Sequence, residues 1–294
     1  MKPDLSLLWR GPLSSCNYDC HYCPFAKNKS SREELAADEA ALDRFRQWVS
    51  GCNSHRLGIL FTPWGEAVIR RWYRAAIVEF SHLEHVRRVA IQTNGAWDPS
   101  WLERANLDRV SLWITYHPGE VGFEKFLVRV RRLHEMGVKL SVGTVGLPEH
   151  RDLIERMRNA LPDGVYLWIN AYKSKGPDYY DQETLDHFAR IDPLFPINNT
   201  YHPSAGQSCD GGESALSIDG EGNAKRCHFV DEKLGNIFED ELEQLLKPRV
   251  CPNATCGCYI GYIHLKPLGL KTIYGDGFLE RIPNHVSPTT LAKV

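Results

Sequence analysis

Residues 5–25 read LSLLWRGPLSSCNYDCHYCPF, and this stretch sets the reading of the whole chain. The apolar run at 5–9 has the length and composition of a buried strand. It leads into a loop that carries Cys16, Cys20 and Cys23. Three thiols are one short of a closed four-thiolate metal site and odd in number for internal disulfides. A strand that delivers ligating side chains to the loop at its end is the arrangement of parallel α/β sheets, where chemistry gathers beyond the carboxyl ends of the strands.

Similar units follow along the chain. Apolar, β-branched runs recur at 57–62, 89–93, 110–115, 140–145 and 165–171. Helical patterns lie between them: Leu35, Leu42, Phe45 and Val49 share one face, as do Phe123, Phe126, Leu127, Val130 and Leu133. The second of these helices is expected to stop at Gly137. Leu153, Ile154, Met157 and Leu161 mark another amphipathic helix. Six such units imply parallel strands joined by right-handed crossovers, in an open doubly wound sheet or a partial barrel. The polar motifs PWGEA, TNG and TYHPG fall at the expected ends of strands two, three and four, and Asn170 at the end of strand six. No GxGxxG, Walker, HExxH or GxSxG pattern is present.

The 294 residues carry a formal charge of −2, which gives no electrostatic reason to expect nucleic acid or an anionic membrane as partner. No apolar run reaches the length of about 18 residues that a transmembrane helix needs. The apolar patch near the start is too short for a signal-peptide core. A cytoplasmic location is therefore expected, where clustered thiols indicate metal binding or catalysis.

A [4Fe–4S] cluster takes four cysteine thiolates. Three leave one iron open to a non-protein ligand, the arrangement by which metal sites activate substrates. A zinc site completed by His21 or a distant residue is the alternative reading of the same loop. The C-x₃-C-x₂-C spacing, with aromatic Tyr22 before the last cysteine, resembles the signature of the radical S-adenosylmethionine (SAM) superfamily. That resemblance implies a partial (β/α)₆ TIM-like barrel. It also implies that Cys16, Cys20 and Cys23 hold a cluster whose fourth iron is chelated by SAM. Reduction would then give a 5′-deoxyadenosyl radical that abstracts hydrogen from a substrate. TPWGEA resembles the family's GGEP motif, keeping Gly65 and Glu66 but carrying Trp64 and Ala67 at the outer positions. Tyr22, Gly65, Glu66, Thr93, Asn94, Thr115 and Val145 thereby become candidate SAM-binding residues, with Val145 near the adenine. His117 and Asn170 become candidate catalytic residues.

The remaining cysteines, apart from Cys52 at a helix end, crowd near the end as Cys209, Cys227, Cys251, Cys256 and Cys258. ALSIDGEGNAKRCHF reads as a hairpin around an Asp-Gly turn at Asp219 and Gly220. With Gly222 five residues before Cys227, it resembles the opening half of the SPASM and twitch domains of radical SAM enzymes. The resemblance implies one auxiliary [4Fe–4S] cluster on Cys209, Cys227, Cys256 and Cys258. Cys251 is left as the surplus thiol, an alternative ligand or a hydrogen-atom donor. A zinc ribbon on the same four thiolates is the competing reading. The expected organisation is a radical SAM core at 1–195, the auxiliary module at 196–266 and a C-terminal tail at 267–294.

The expected function is an oxidoreductase or modifying enzyme acting on a small molecule or a peptide, with net oxidation or epimerisation as outcomes. Because the chain opens directly at strand one, without a fused peptide-recognition domain, the expectation leans toward a small molecule or a separately delivered peptide. A flavodoxin- or ferredoxin-type protein would supply electrons. The reading from another class is a non-catalytic iron–sulfur or zinc protein that binds a partner.

Overall fold

The computed structural model describes residues 2–284 apart from 24 and 26–28, so part of the expected 267–294 tail lies outside the described residues. Six parallel strands follow one another in sequence order: β1 (Asp4–Trp9), β2 (Arg56–Phe61), β3 (Val86–Thr93), β4 (Val110–Tyr116), β5 (Lys139–Gly146) and β6 (Tyr166–Ala171). They form the partial barrel expected from the sequence. Four crossovers carry helices: α1 (Arg32–Gly51), α2 (Arg71–His82), α3 (Phe123–Glu135) and α4 (Arg151–Ala160). The crossover from β3 to β4 departs from the expected strand–helix pattern. It holds only a 3₁₀ turn, Pro99–Arg104, because Gly95 and Pro99 interrupt a stretch too short to start a helix elsewhere. After β6 come α5 (Gln182–Ile191) and α6 (Phe195–Asn199).

Local sequence accounts for the helix ends. Ser31 and Glu34 exchange side-chain-to-backbone hydrogen bonds at the start of α1, a capping box. At the end of α3 the chain reverses through Gly137 at φ +80°, and the Gly137 and Val138 N–H groups take the carbonyls of His134 and Leu133. The apolar stripes of α1 and α3 join Leu5, Leu7, Trp9, Ile59, Phe61 and Ile91 in one buried cluster on one face of the sheet.

The opposite face is filled by the end of the chain. Leu8, Leu60, Ala90, Trp113 and Trp168 form one buried cluster with Tyr259, Ile260, Tyr262, Ile263, Leu270, Ile273, Tyr274, Phe278 and Leu279. These come from α8 (Tyr259–Tyr262), α9 (Leu270–Tyr274) and the turn after it. The Ser141 hydroxyl donates to the Glu280 carbonyl at 2.6 Å, and Arg88 pairs with Glu280 at 3.2 Å. The described part of the expected tail is thus a plug inside the barrel.

Short strands β7 (His202–Pro203) and β8 (Ser208–Cys209) lead to a meander of β9 (Ala215–Ile218), β10 (Asn223–Cys227) and β11 (Val230–Asn236). The turn between β9 and β10 is where the Asp-Gly pair sets it. Asp219 Oδ1 accepts from the N–H groups of Glu221 and Asn223, and Gly222 takes φ +84°. β9 lies parallel to β1, so the meander continues the barrel sheet in the order β11-β10-β9-β1-β2-β3-β4-β5-β6. Helix α7 (Leu242–Leu245) follows. Two further strands, β12 (Arg249–Val250) and β13 (Thr255–Cys256), pair with β8 and β7 and bring the later cysteines back toward Cys209. No helix among the described residues is long and apolar enough to cross a membrane.

Candidate active site

The loop after β1 is zipped to the loop after β2. Gly65 N–H donates to the Leu13 carbonyl at 3.2 Å, and Glu66 N–H to the Ser15 carbonyl at 3.1 Å. A Cβ at Gly65 would lie 2.0 Å from the Ser15 carbonyl oxygen, so only glycine permits this approach. The Arg70 guanidinium adds a 2.8 Å bond to the Ser15 hydroxyl. Cys16 is therefore placed by backbone contacts immediately before it. Its sulfur accepts from the Tyr18 N–H at 3.4 Å and from Asn94 Nδ2 at 3.7 Å. The Cys23 N–H closes a turn onto the Cys20 carbonyl at 3.0 Å, gathering the remaining two thiols.

Glu66 is buried, and both its oxygens are engaged. Oε1 accepts from the Thr93 hydroxyl at 2.6 Å and from Val68 N–H at 3.3 Å, while Oε2 accepts from Asn94 N–H at 2.7 Å. Burial pushes its carboxyl up to about 7 against these hydrogen bonds. The Glu66 carboxylate braces the end of β3 against the cysteine loop. Sequence reasoning chose Glu66, Thr93 and Asn94 as separate SAM contacts; the structure joins them to one another. Asn94 also donates to Asn17 Oδ1 at 2.8 Å, and Asn17 was missed. An asparagine beside a cysteine carries no sequence signal without its partner beyond the end of β3.

Tyr22 and His117 meet across the mouth. The phenol and Nδ1 are 2.8 Å apart with the rings stacked at 5.8 Å, and Tyr18 meets the same imidazole edge-on. Burial lowers His117 to about 4 and raises Tyr22, so both are neutral at pH 7 and the phenol donates to Nδ1. Thr115 and Val145 are half-buried at the ends of β4 and β5. Asn170 is exposed and turns toward a second space.

That second space is a cavity of about 360 Å³. Its walls carry all five late cysteines together with Asn170, Lys173 and Asn198 from the barrel. Cys209 and Cys251 are buried, and Cys227 and Cys256 half-buried. Cys258 lies deep in the chain, yet its thiol is exposed to the cavity. Backbone N–H groups two residues on approach three of the sulfurs: Gly211 to Cys209 at 3.4 Å, Phe229 to Cys227 at 3.5 Å, and Ile260 to Cys258. A Cβ on Gly261 would sit 2.9 Å from the Cys256 sulfur. Burial pushes Cys227 up to about 11 and Cys256 and Cys20 up to about 12, so thiolates here call for a cation beside them.

Among the described residues no three His, Cys, Asp or Glu side chains converge on a point suited to a single metal ion. The five late thiols line one cavity of about 360 Å³, more room than a single metal ion takes. The donor set and the amide-to-sulfur hydrogen bonds therefore fit a cluster.

Trp64, which replaces the first residue of the GGEP-like motif, links the two cysteine regions. Its ring lies 4.4 Å from Phe25 beside the first loop and 4.8 Å from His228 beside Cys227. The Arg10 guanidinium sits 4.7 Å above it.

No family model and no curated protein sequence matches the chain. Solved structures do. His-tagged anSMEcpe with bound AdoMet superposes with a TM-score of 0.55 at 17% identity, over 83% of this chain and 77% of that one. Native anSMEcpe with AdoMet and the Cp18Cys peptide gives 0.55 at 16%, over 83% and 80%. SuiB of Streptococcus suis bound to S-adenosylmethionine gives 0.55 at 14%, over 82% and 65%. The fold is the partial barrel of these SAM-bound proteins. At such identity the likeness is one of architecture. The three-cysteine loop of this chain stands at the carboxyl end of β1, at the mouth of the barrel.

Proposed function

We propose that the chain is a radical SAM enzyme with one auxiliary iron–sulfur site. Cys16, Cys20 and Cys23 would hold the first [4Fe–4S] cluster, and Cys209, Cys227, Cys256 and Cys258 the second. The observation that carries the reading is the three-thiol loop fastened at Gly65 and Glu66 to the mouth of this partial barrel. When bound, the first cluster and SAM together supply a 5′-deoxyadenosyl radical that removes a hydrogen atom from the substrate.

The chain's own residues position and shield that chemistry. Glu66 holds the cysteine loop in register with β3. Asn94 donates to the Cys16 sulfur, and the neutral Tyr22–His117 pair covers one side of the mouth without adding charge. Thr115 and Val145 face the space where nucleoside and substrate would meet. Cys209, Cys227 and Cys258 carry an amide donor two residues on. Cys256 is preferred to Cys251 as the fourth ligand because it stands two residues from Cys258, close enough to share one iron–sulfur cube. Cys251 stays a surplus thiol on the same wall. The substrate class is a small molecule or a peptide, reached through the mouth between the two sites. A flavodoxin- or ferredoxin-type protein is the proposed electron source.

Anaerobic reconstitution tests the reading. About eight irons per chain and reductant-dependent release of 5′-deoxyadenosine are expected. A fully loaded protein that binds SAM but never cleaves it would overturn the enzymatic reading.

A further inference from the structure

The cavity that gathers the five thiols has no acidic side chain among its lining residues, yet cations surround it. Lys173 and Arg226 line it, and Arg10 and Arg281 act on Cys258 from the barrel side. Two of these stand where the barrel meets the cysteine lobe. Lys173, just beyond β6, donates from Nζ to the Gly257 carbonyl at 2.6 Å and the Thr200 carbonyl at 2.8 Å, and lies 4.9 Å over Tyr201. Gly257 is the residue between Cys256 and Cys258. Arg10, just beyond β1, donates to the Thr62 carbonyl at 2.6 Å, and its Nε is buried without a hydrogen-bond partner among the described residues.

Neither cation forms an ion pair with a carboxylate among the described residues. Burial without such a partner lowers Arg10 to about 10 and Lys173 to about 8, against the pull of Cys258 on both. A buried cation stripped of water is costly unless an anion stands beside it. The protein's own acidic groups do not supply one, and the thiols are the neighbours that become anionic when they take iron.

We propose that Lys173 and Arg10 are positioning residues by which the barrel stabilises the reduced state of the auxiliary cluster, a role that rests on the cluster reading given above. Reduction adds one electron to that cluster and makes the thiolate-bound core one unit more negative. The electron comes from a low-potential donor, and no bond to either residue forms or breaks. Charge near a cluster is one of the levers that set its potential. Both cations come from the barrel, so the chain couples the cluster's electron affinity to the ends of β1 and β6, where the substrate would lie.

The test uses the full chain with Cys16, Cys20 and Cys23 all replaced by Ala, so that only the auxiliary cluster contributes a signal. Iron per chain is measured first, and an EPR-monitored potentiometric titration with dithionite follows. Lys173→Gln is expected to keep its iron and move the midpoint to more negative potential. Lys173→Arg is expected to bring it back, and Arg10→Gln to shift it in the same direction as Lys173→Gln. An unchanged or more positive midpoint in fully loaded Lys173→Gln overturns the proposal. Loss of iron in that variant overturns it as well, because Lys173 would then only hold the Cys256–Cys258 loop. A parent that takes up no iron refutes the auxiliary cluster itself, a failure distinguishable from the other two.

Discussion

Glu66→Gln separates a brace from a ligand contact. The Thr93 hydroxyl oxygen already accepts from Gly95 N–H at 3.1 Å and Trp97 Nε1 at 2.8 Å, so its proton is committed to Glu66 Oε1. Asn94 N–H is committed to Oε2. Both oxygens of the carboxylate therefore face donors, and glutamine has only one oxygen to offer. Whichever way the amide is turned, an NH₂ group meets a donor. One buried donor goes unsatisfied, at a cost of about 1–3 kcal/mol. That corresponds to a fall in Tm of about 2–4 °C per kcal/mol for a chain of this class. The assay is thermal and urea unfolding of the protein without SAM, where a residue that served only to bind SAM would change nothing. A Glu66→Gln protein that unfolds at the wild-type temperature and urea midpoint would refute the brace. If the brace is real, the variant also takes up less iron at the first site, because the cysteine loop hangs on the same contacts.

Gly65→Ala drives a methyl group into the Ser15 carbonyl, and iron analysis is expected to show the first cluster lost while the auxiliary cluster's EPR signal remains. Cys251→Ala should keep about eight irons per chain while Cys227→Ala drops to about half; equal loss in both would reassign the ligands. Arg281→Met removes the cation that acts on buried Asp192 and lies 4.5 Å from the Trp168 ring. Its unfolding free energy is expected to fall by about 3–5 kcal/mol, read by urea denaturation. Ser31→Ala costs about 1 kcal/mol through the lost cap on α1, and calorimetry showing no change would contradict the capping box.

The six strands were legible because each is a compact apolar run bounded by polar punctuation, and each observed strand overlaps its expected run by all but a residue or two. The exception in length is β3, which starts at Val86, earlier than expected, because Arg87 and Arg88 disguise a strand whose arginines find partners. The cysteines were legible as two groups because spacing along the chain survives folding. Glu66 was legible as a position, but its partners Thr93 and Asn94 lie 27 and 28 residues away, and pairing over that distance leaves no periodic trace. Arg10 and Lys173 were missed for a simpler reason. Single cations near strand ends look like ordinary surface residues until burial is known. The plug was missed because α8 and α9 are one turn each, too short to show an amphipathic period.

That plug has a consequence for how the chain is made. Leu8, Leu60, Ala90, Trp113 and Trp168 line the barrel's inner face from the early and middle parts of the sequence, and their cover is synthesised last. While the ribosome holds residues 259–279, the sheet can pair its strands and dock its outer helices but has nothing to fill its interior. A nascent barrel therefore waits as an open, greasy trough. The first cysteine loop is exposed throughout that wait, and the auxiliary thiols arrive just before the trough closes. The three-cysteine loop thus precedes the filling of the barrel's inner face in the order of synthesis.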